Sequence, residues 1–260
     1  MLDRSKKTLI PFFMAGYPDM AGSELLISAA IQSGVEVIEI GVPFSDPLAD
    51  GPTIQGAAAV SLKNGTHLES VFGLTARIKK KHPKVTLILF TYFNPILKFG
   101  LKSYAEQALC AGVSATLTVD LPPEESEHYR LVHKLAGLHT IFLASPTTSL
   151  ERLSAIAEAS TGFIYCVSRL GVTGSQTQLS SSVAIEIRRI REITSKPVVL
   201  GFGISTPDQV LEASKSADGI VVGSHLLNLI EESSDILEAR DRVCSFIEAS
   251  IERLKERAYS

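Results

Sequence analysis

Cysteine is scarce and unorganised in this chain. Cys110, Cys166 and Cys244 are scattered without metal-ligand or redox spacing, and their odd number fits reduced thiols in a cytosol. The six histidines show no paired spacing either, so no metal site is read from the sequence. Neither sign of charge dominates. A formal net charge of −3 and a pI near 6.1 give no reason to invoke nucleic acid or an anionic membrane. The one dense basic run, Lys79, Lys80, Lys81 and Lys84, closes a helical pattern just before a strand and reads as a solvated helix terminus. Apolar runs of the ~18 residues needed to span a bilayer are missing. Met1 to Lys7 is polar and runs straight into a strand, unlike a secretory signal. Linkers, low-complexity stretches and close internal repeats are absent as well. The expectation is a soluble, cytoplasmic protein in which residues 1–260 form one domain.

What the chain has is rhythm. Eight short apolar, β-branched or aromatic runs recur, at Leu9–Met14, Val35–Val42, Val85–Phe93, Ala115–Leu121, Thr140–Ala144, Phe163–Ser168, Pro197–Phe202 and Gly219–Val222. Between them lie amphipathic stretches such as Ser23–Gln32, Leu68–Lys80, Lys102–Ala111, Glu124–Leu135, Leu150–Ala159, Val183–Ile193 and Pro207–Lys215. A long charged pattern, Ser234 to Arg257, ends the series. Strands alternating with helices imply right-handed parallel crossovers. Eight such strands predict an α/β fold, a single (β/α)8 TIM barrel, with an open doubly wound sheet as the fallback.

The second run leads into the most informative segment. From Glu39 through Thr53 the chain passes from a β-branched strand into a loop holding Asp46 and Asp50 among three prolines and two glycines. Side chains alternate along a strand. Val35, Val37 and Glu39 therefore share one face, and Ile38 and Ile40 the other. With the isoleucines under helices, Glu39 points into the enclosed side at the strand's C-terminal end, where α/β folds place their chemistry. A buried carboxylate is costly unless paired, which favours a functional reading over a structural ion pair. Parity places Thr116, Thr118 and Asp120 together on the fourth strand in the same way. Tyr92 and Asn94 end the third strand, and Tyr165 lies on the sixth. Bland readings stand beside these. Asp120 before Leu-Pro-Pro could cap the following helix, Asp46 and Asp50-Gly51-Pro52 are good turn chemistry, and the tyrosines could be core or rim aromatics.

Glycine clusters follow the last three strands: Gly171-Val172-Thr173-Gly174, Gly201-Phe202-Gly203 and Gly223-Ser224-His225. In barrels these final loops and a short helix N-terminus often hold a phosphate through backbone N–H groups. The expected ligand is a small phosphate ester, bound at the C-terminal ends of the last strands. Arg169–Ser182, rich in Ser, Thr, Gln and Gly, has the composition of a closing lid. Pattern reading stops there, at a phosphorylated metabolite, a carboxylate acid/base and a lid.

Several motifs carry a closer resemblance. Pro11-Phe12-Phe13-Met14-Ala15-Gly16, the stretch Glu39 through Gln55, Tyr92-Phe93-Asn94-Pro95, Val119-Asp120-Leu121-Pro122, Ser168 through Gly174 and Gly201-Phe202-Gly203-Ile204 run in the order of the tryptophan synthase alpha subunit family. The chain resembles that family over nearly its whole length. The resemblance implies reversible retro-aldol cleavage of indole-3-glycerol phosphate to indole and glyceraldehyde 3-phosphate. It gives Glu39 and Asp50 the catalytic positions. Phe12 and Tyr92 fall at the indole pocket or its wall, Tyr165 beside Glu39 as a substrate-binding residue, Thr173 on the lid opposite Asp50, and Gly174, Gly203, Gly223 and Ser224 at the phosphate. Asp46 and Pro47 fall in the loop that faces a beta subunit, in an alpha2-beta2 heterotetramer. By the same resemblance this subunit needs no cofactor and the beta partner carries pyridoxal phosphate. Three features depart from the family pattern: a short segment before the first strand in place of a covering helix, Tyr17 in place of aspartate, and Phe163 in place of a second tyrosine.

Overall fold

The computed structural model describes residues 1–167, 181–201 and 203–256. Eight parallel strands close in chain order into a barrel: β1 (Thr8–Met14), β2 (Val37–Gly41), β3 (Thr86–Thr91), β4 (Val113–Thr118), β5 (His139–Ala144), β6 (Ile164–Val167), β7 (Val198–Gly201) and β8 (Gly219–Val222). The ring is sealed by β8 on β1, with Thr8 opposite Gly219 and Pro11 opposite Val222. Around it run α1 (Met20–Gln32), α2 (Pro52–Lys63), α3 (Leu68–Lys81), α4 (Phe93–Phe99), α5 (Leu101–Cys110), α6 (Glu127–Ala136), α7 (Leu150–Ala159), α8 (Ser181–Ile193), α9 (Pro207–Ser214), α10 (Ser224–Glu231) and α11 (Ile236–Glu256). The expected TIM barrel is the observed fold, and each expected strand is present.

Local chemistry explains the helices. In α3 the buried side chains Leu68, Val71, Phe72, Leu74, Thr75 and Ile78 repeat at three- and four-residue spacing, the stripe that packs on the sheet. Glu69 lies in its first turn and Lys79, Lys80 and Lys81 in its last, matching the helix dipole at both ends. Thr206 and Gln209 form a capping box over α9, with Pro207 in the first turn. The helices that pattern reading passes over are α2, α4 and α10. They begin at Pro52, Phe93 and Ser224, inside segments whose acids, proline and glycines read as loops.

Parity holds on β2 and fails on β4. Phe12 is in register with Glu39 across β1 and β2, and both line the barrel interior. Thr116 and Thr118 instead face the helices, where Tyr104 of α5 donates to Thr116 at 3.4 Å and Thr118 donates to Tyr129 of α6 at 3.0 Å. Strand β4 also stops at Thr118, so Asp120 lies beyond it, exposed. Its Oδ1 accepts the Phe93 N–H at 2.7 Å. It thus caps α4, the preceding helix in space, rather than the following one. Tyr92 and Asn94 likewise belong to α4, as its cap and its second residue, and not to β3.

Among the described residues, 1–7 form no helix and lie against the lower end of the barrel. A Cβ at Gly162 would meet Met1 Cε at 2.6 Å, and one at Gly219 would meet Leu2 Cδ1 at 3.5 Å, so the tip of exposed Met1 and half-buried Leu2 touch this end of the strands. Arg4 and Lys7 anchor this segment on Asp218, which directly precedes β8. Phe163 is fully buried beside β6, and Tyr17 packs half-buried on the core.

Candidate active site

At the C-terminal end of the strands lies a cavity of ≈ 200 Å³, lined among others by Phe12, Glu39, Phe90, Tyr165, Gly203 and Ser224. Phe12 and Phe90 meet edge to face at 5.5 Å, making an apolar wall. Glu39 is only 1 % exposed. Its Oε1 is buried without a hydrogen-bond partner among the described residues, which is an expensive arrangement for a charge. Burial therefore pushes the Glu39 carboxyl up to about 8, and the neighbouring Asp50 carboxylate adds to the rise. At neutral pH this group holds its proton and can donate it.

Asp50 arrives from the loop between β2 and α2. Its Oδ2 accepts the Tyr92 hydroxyl at 3.0 Å, and the same hydroxyl oxygen accepts the Ala49 N–H at 2.9 Å. Desolvation raises Asp50 to about 6 while the Tyr92 hydrogen bond pulls it down. Asp50 is thus mainly anionic where Glu39 is mainly neutral, which separates two carboxylates into acid and anion. Its Oδ1 has no partner among the described residues and is left to receive a donor.

Tyr165 is buried beside this pair. Desolvation chiefly, and then the charges of Glu39 and Asp50, hold its hydroxyl well above the usual phenol range. It stays a neutral donor. Gly201 makes the ring possible: a Cβ there would lie 2.0 Å from the Tyr165 hydroxyl and 2.4 Å from Cζ. Its glycine is thus explained by an aromatic neighbour rather than by a phosphate. Gly203, at φ +76°, lies in the left-handed region that favours glycine and turns its backbone onto the cavity. Gly223 caps α10, whose first residue is Ser224, so the unpaired N–H groups of that helix start at the cavity rim.

Most of the predicted residues therefore converge. Glu39, Phe12, Tyr165, Gly203, Gly223 and Ser224 share one cavity, with Asp50 next to Glu39 and held by Tyr92. Tyr92 stacks on Phe44 at 5.1 Å and acts on Asp50 from behind instead of lining this cavity. Thr173 and Gly174, with the rest of the predicted lid up to residue 180, lie outside the described residues. Asp46 is exposed, and Pro47 half-buried, beside Leu48 at 92 % exposure. Pattern reading missed Phe90, although it shares the parity of Ile88 on β3. The side-chain hydrogen bonds of Gln55 to Pro47 and Asp50 are not legible in the sequence either, since they depend on how the loop turns back over α2. Among the described residues no group of three His, Cys, Asp or Glu could hold a metal ion, and no helix is long and apolar enough to cross a membrane.

Known proteins match this chain over most of its length. The family model for the tryptophan synthase alpha chain matches residues 1–257. The tryptophan synthase alpha chain of Geobacter sulfurreducens is 43 % identical over 245 residues, covering 94 % of this chain and 92 % of that one. Among solved structures, tryptophan synthase subunit alpha from Legionella pneumophila superposes with a TM-score of 0.89 at 33 % identity, covering 97 % of this chain and 94 % of the other. A chain of Mycobacterium tuberculosis tryptophan synthase superposes with a TM-score of 0.87 at 30 % identity, over 96 % and 93 % of the two chains. With sequence, fold and length all in agreement, the chain belongs to the tryptophan synthase alpha chain family.

Proposed function

We propose that the chain works as the alpha subunit of a tryptophan synthase, cleaving indole-3-glycerol phosphate reversibly to indole and glyceraldehyde 3-phosphate. It is a carbon–carbon lyase by family. The observation that carries the residue assignment is Glu39, a buried carboxyl with an unpartnered oxygen at the floor of the cavity.

The chemistry asks for such a group. Indole leaves poorly as a carbanion, so the ring carbon bearing the side chain must first take a proton. Glu39, neutral at pH 7, donates it. The ring nitrogen becomes positive, and its N–H turns toward the Asp50 carboxylate, whose charge stabilises it. Glu39, now anionic, takes the proton from the hydroxyl on the adjacent side-chain carbon. That carbon closes to an aldehyde as the carbon–carbon bond breaks, and the bonding pair returns to the indole ring. Glu39 ends with the proton it began with. Phe12 and Tyr165 hold the indole, while the backbone at Gly203, Gly223 and Ser224 receives the phosphate. Packing does not demand glycine at position 223, since a Cβ there would meet Phe12 at 3.4 Å or more. Close approach of a ligand supplies the reason. Thr173 and Gly174 take the lid and phosphate roles implied by the family.

The chain itself uses no cofactor in this reading. Its partner is a beta subunit carrying pyridoxal phosphate, in an alpha2-beta2 assembly in the cytoplasm, and Asp46 and Pro47 face that partner. Exposed Leu48 between Pro47 and Ala49 supports an interface at this corner. Residues 1–260 work as one domain. The test is indole release from indole-3-glycerol phosphate, by the purified chain with and without a beta subunit. Weak release that rises strongly with the beta subunit is expected. Absence of cleavage under both conditions would leave a chain that serves its partner only as an activator.

A further inference from the structure

The loop that carries Asp50 is short of internal support. Between Gly41, which ends β2, and Pro52, which begins α2, it forms neither strand nor helix. Its own backbone closes only small turns, Leu48 N–H to Asp46 C=O at 2.9 Å and Asp50 N–H to Pro47 C=O at 3.0 Å. Gln55, in the first turns of α2, changes this. Its backbone N–H donates to Gly51 C=O at 3.0 Å in the helical manner, but its side chain folds back over the helix start. The amide Nε2 donates to Asp50 C=O at 2.9 Å and to Pro47 C=O at 3.3 Å. A side-chain amide has two N–H donors, and both are committed to this turn. The position is exposed, so an ordinary helix-surface glutamine would leave them to water.

We propose that Gln55 is a positioning residue for the cleavage reaction, its amide tying the outward corner at Pro47 and Leu48 to the backbone of Asp50. The inference rests on the reading of Asp50 given above. Tyr92 fixes the carboxylate and the Ala49 amide from the barrel side. Gln55 fixes the carbonyls at both ends of the same turn from the solvent side. The turn is then a single piece clamped at two faces, with exposed Leu48 at its tip. Pressure on that tip is delivered to Asp50 instead of being absorbed by bending of the turn. Gln55 touches no core side chain in these bonds, so losing them costs little stability. A small displacement of a catalytic group, by contrast, costs rate steeply.

The experiment compares Gln55→Met with the full-length wild type. Methionine keeps length and helix propensity and removes both donors. Gln55→Glu serves as a second variant, since its ionised carboxylate accepts only and faces two carbonyls. Indole release is followed from pH 5.5 to 9 with and without a beta subunit, alongside glycerol phosphate binding and thermal unfolding. Both variants should lose about tenfold in kcat with KM and glycerol phosphate affinity within about twofold of wild type. The acid limb of the rate profile should move, and the rise in rate on adding the beta subunit should shrink, while the unfolding temperature holds. An active wild type matched by Gln55→Met in kcat and acid limb overturns the inference. So does a parallel loss of rate, phosphate affinity and unfolding temperature, which marks a merely structural role. A wild type that releases no indole with its partner overturns the lyase reading itself, and is told apart because the variants are then irrelevant to the result.

Discussion

Two buried carboxylates stand at opposite ends of the barrel, and they are treated in opposite ways. Asp218, at the N-terminal end before β8, is 3 % exposed, and Glu39, at the C-terminal end of β2, is 1 % exposed. Asp218 accepts the Val198 N–H at 3.0 Å and Arg191 Nη2 at 2.9 Å, with Lys7 Nζ at 3.5 Å and Arg4 Nε at 3.8 Å. Glu39 has no ion pair among the described residues, and its nearest charged influence is a second carboxylate, Asp50. The fold can satisfy a buried charge and does so at the end where it needs an anchor. At the other end no cation among the described residues answers the acid, which keeps its proton instead. Burial alone therefore does not single out a candidate acid/base; burial without an ion pair among the described residues, in a cavity, is what supports that role for Glu39.

The comparison is broken most forcefully at Glu39. Glu39→Gln keeps the shape and the neutral charge state while removing the exchangeable proton. Indole release should fall by about 10²–10⁴ or more, and near-wild-type turnover would remove Glu39 as the acid/base. Stability carries a second signature with a definite sign. Glu39 is raised from 4.5 to about 8, so below pH 4.5 it is protonated in both the folded and the unfolded chain. Between those values the unfolded chain releases the proton and the folded chain keeps it. Stability from this group is thus complete below pH 4.5 and is lost at roughly 1.4 kcal/mol per pH unit as pH rises to about 8. The amide introduced by Glu39→Gln does not titrate and has no such slope, so the variant's unfolding temperature should gain on wild type steadily from pH 5 to 8.

At the other end the same manoeuvre should do the reverse. Asp218→Asn keeps an acceptor for Val198 N–H but strips the charge from Arg4, Lys7 and Arg191. Breaking a buried pair costs about 3–5 kcal/mol, and the partial exposure of the arginines brings the expected loss to about 2–3 kcal/mol. Urea unfolding at pH 7 measures it. Turnover per folded molecule should hold, because the residue lies at the far end of the strands. A stable but slow Asp218→Asn would show that the two ends are coupled and would undo the division of labour.

Much of this was legible in the sequence alone. The eight strands repeat apolar residues at short, even spacing, and barrel closure follows from their number and the helices between them. Glu39 was legible because parity on β2 is unambiguous: Ile38 and Ile40 leave only one face for it. On β4 the same parity misled, since threonine suits a pleated surface facing helix hydroxyls as well as a barrel interior, and Tyr104 and Tyr129 are distant in sequence. Asp120 escapes sequence reading for a related reason. Its partner, the Phe93 N–H, is brought to it by the packing of neighbouring βα units and not by local sequence. Gly201 belongs to a glycine cluster that suggests a phosphate loop, while its own close neighbour is the Tyr165 ring across the β6–β7 pair. Residues whose reason lies in their own segment were readable. Those whose reason lies across the barrel were not.

The smallest expected effect sharpens the contrast within the active end itself. Tyr92 donates to Asp50, and that bond partly offsets the larger rise that desolvation imposes. Tyr92→Phe retains the ring on Phe44 and removes only the hydroxyl. Asp50 should then climb from about 6. In the proposed mechanism Asp50 works as the anion and Glu39 as the acid, so the expected rate profile is a bell whose acid limb moves up with Asp50. Turnover should fall several-fold at pH 6 and by much less near pH 7.5, where Asp50 is ionised in both proteins. A deficit of equal size across the whole pH range would carry a different meaning. It would make Tyr92 a wall of the indole pocket, as the family resemblance suggests, and leave Asp50 to be set by burial alone.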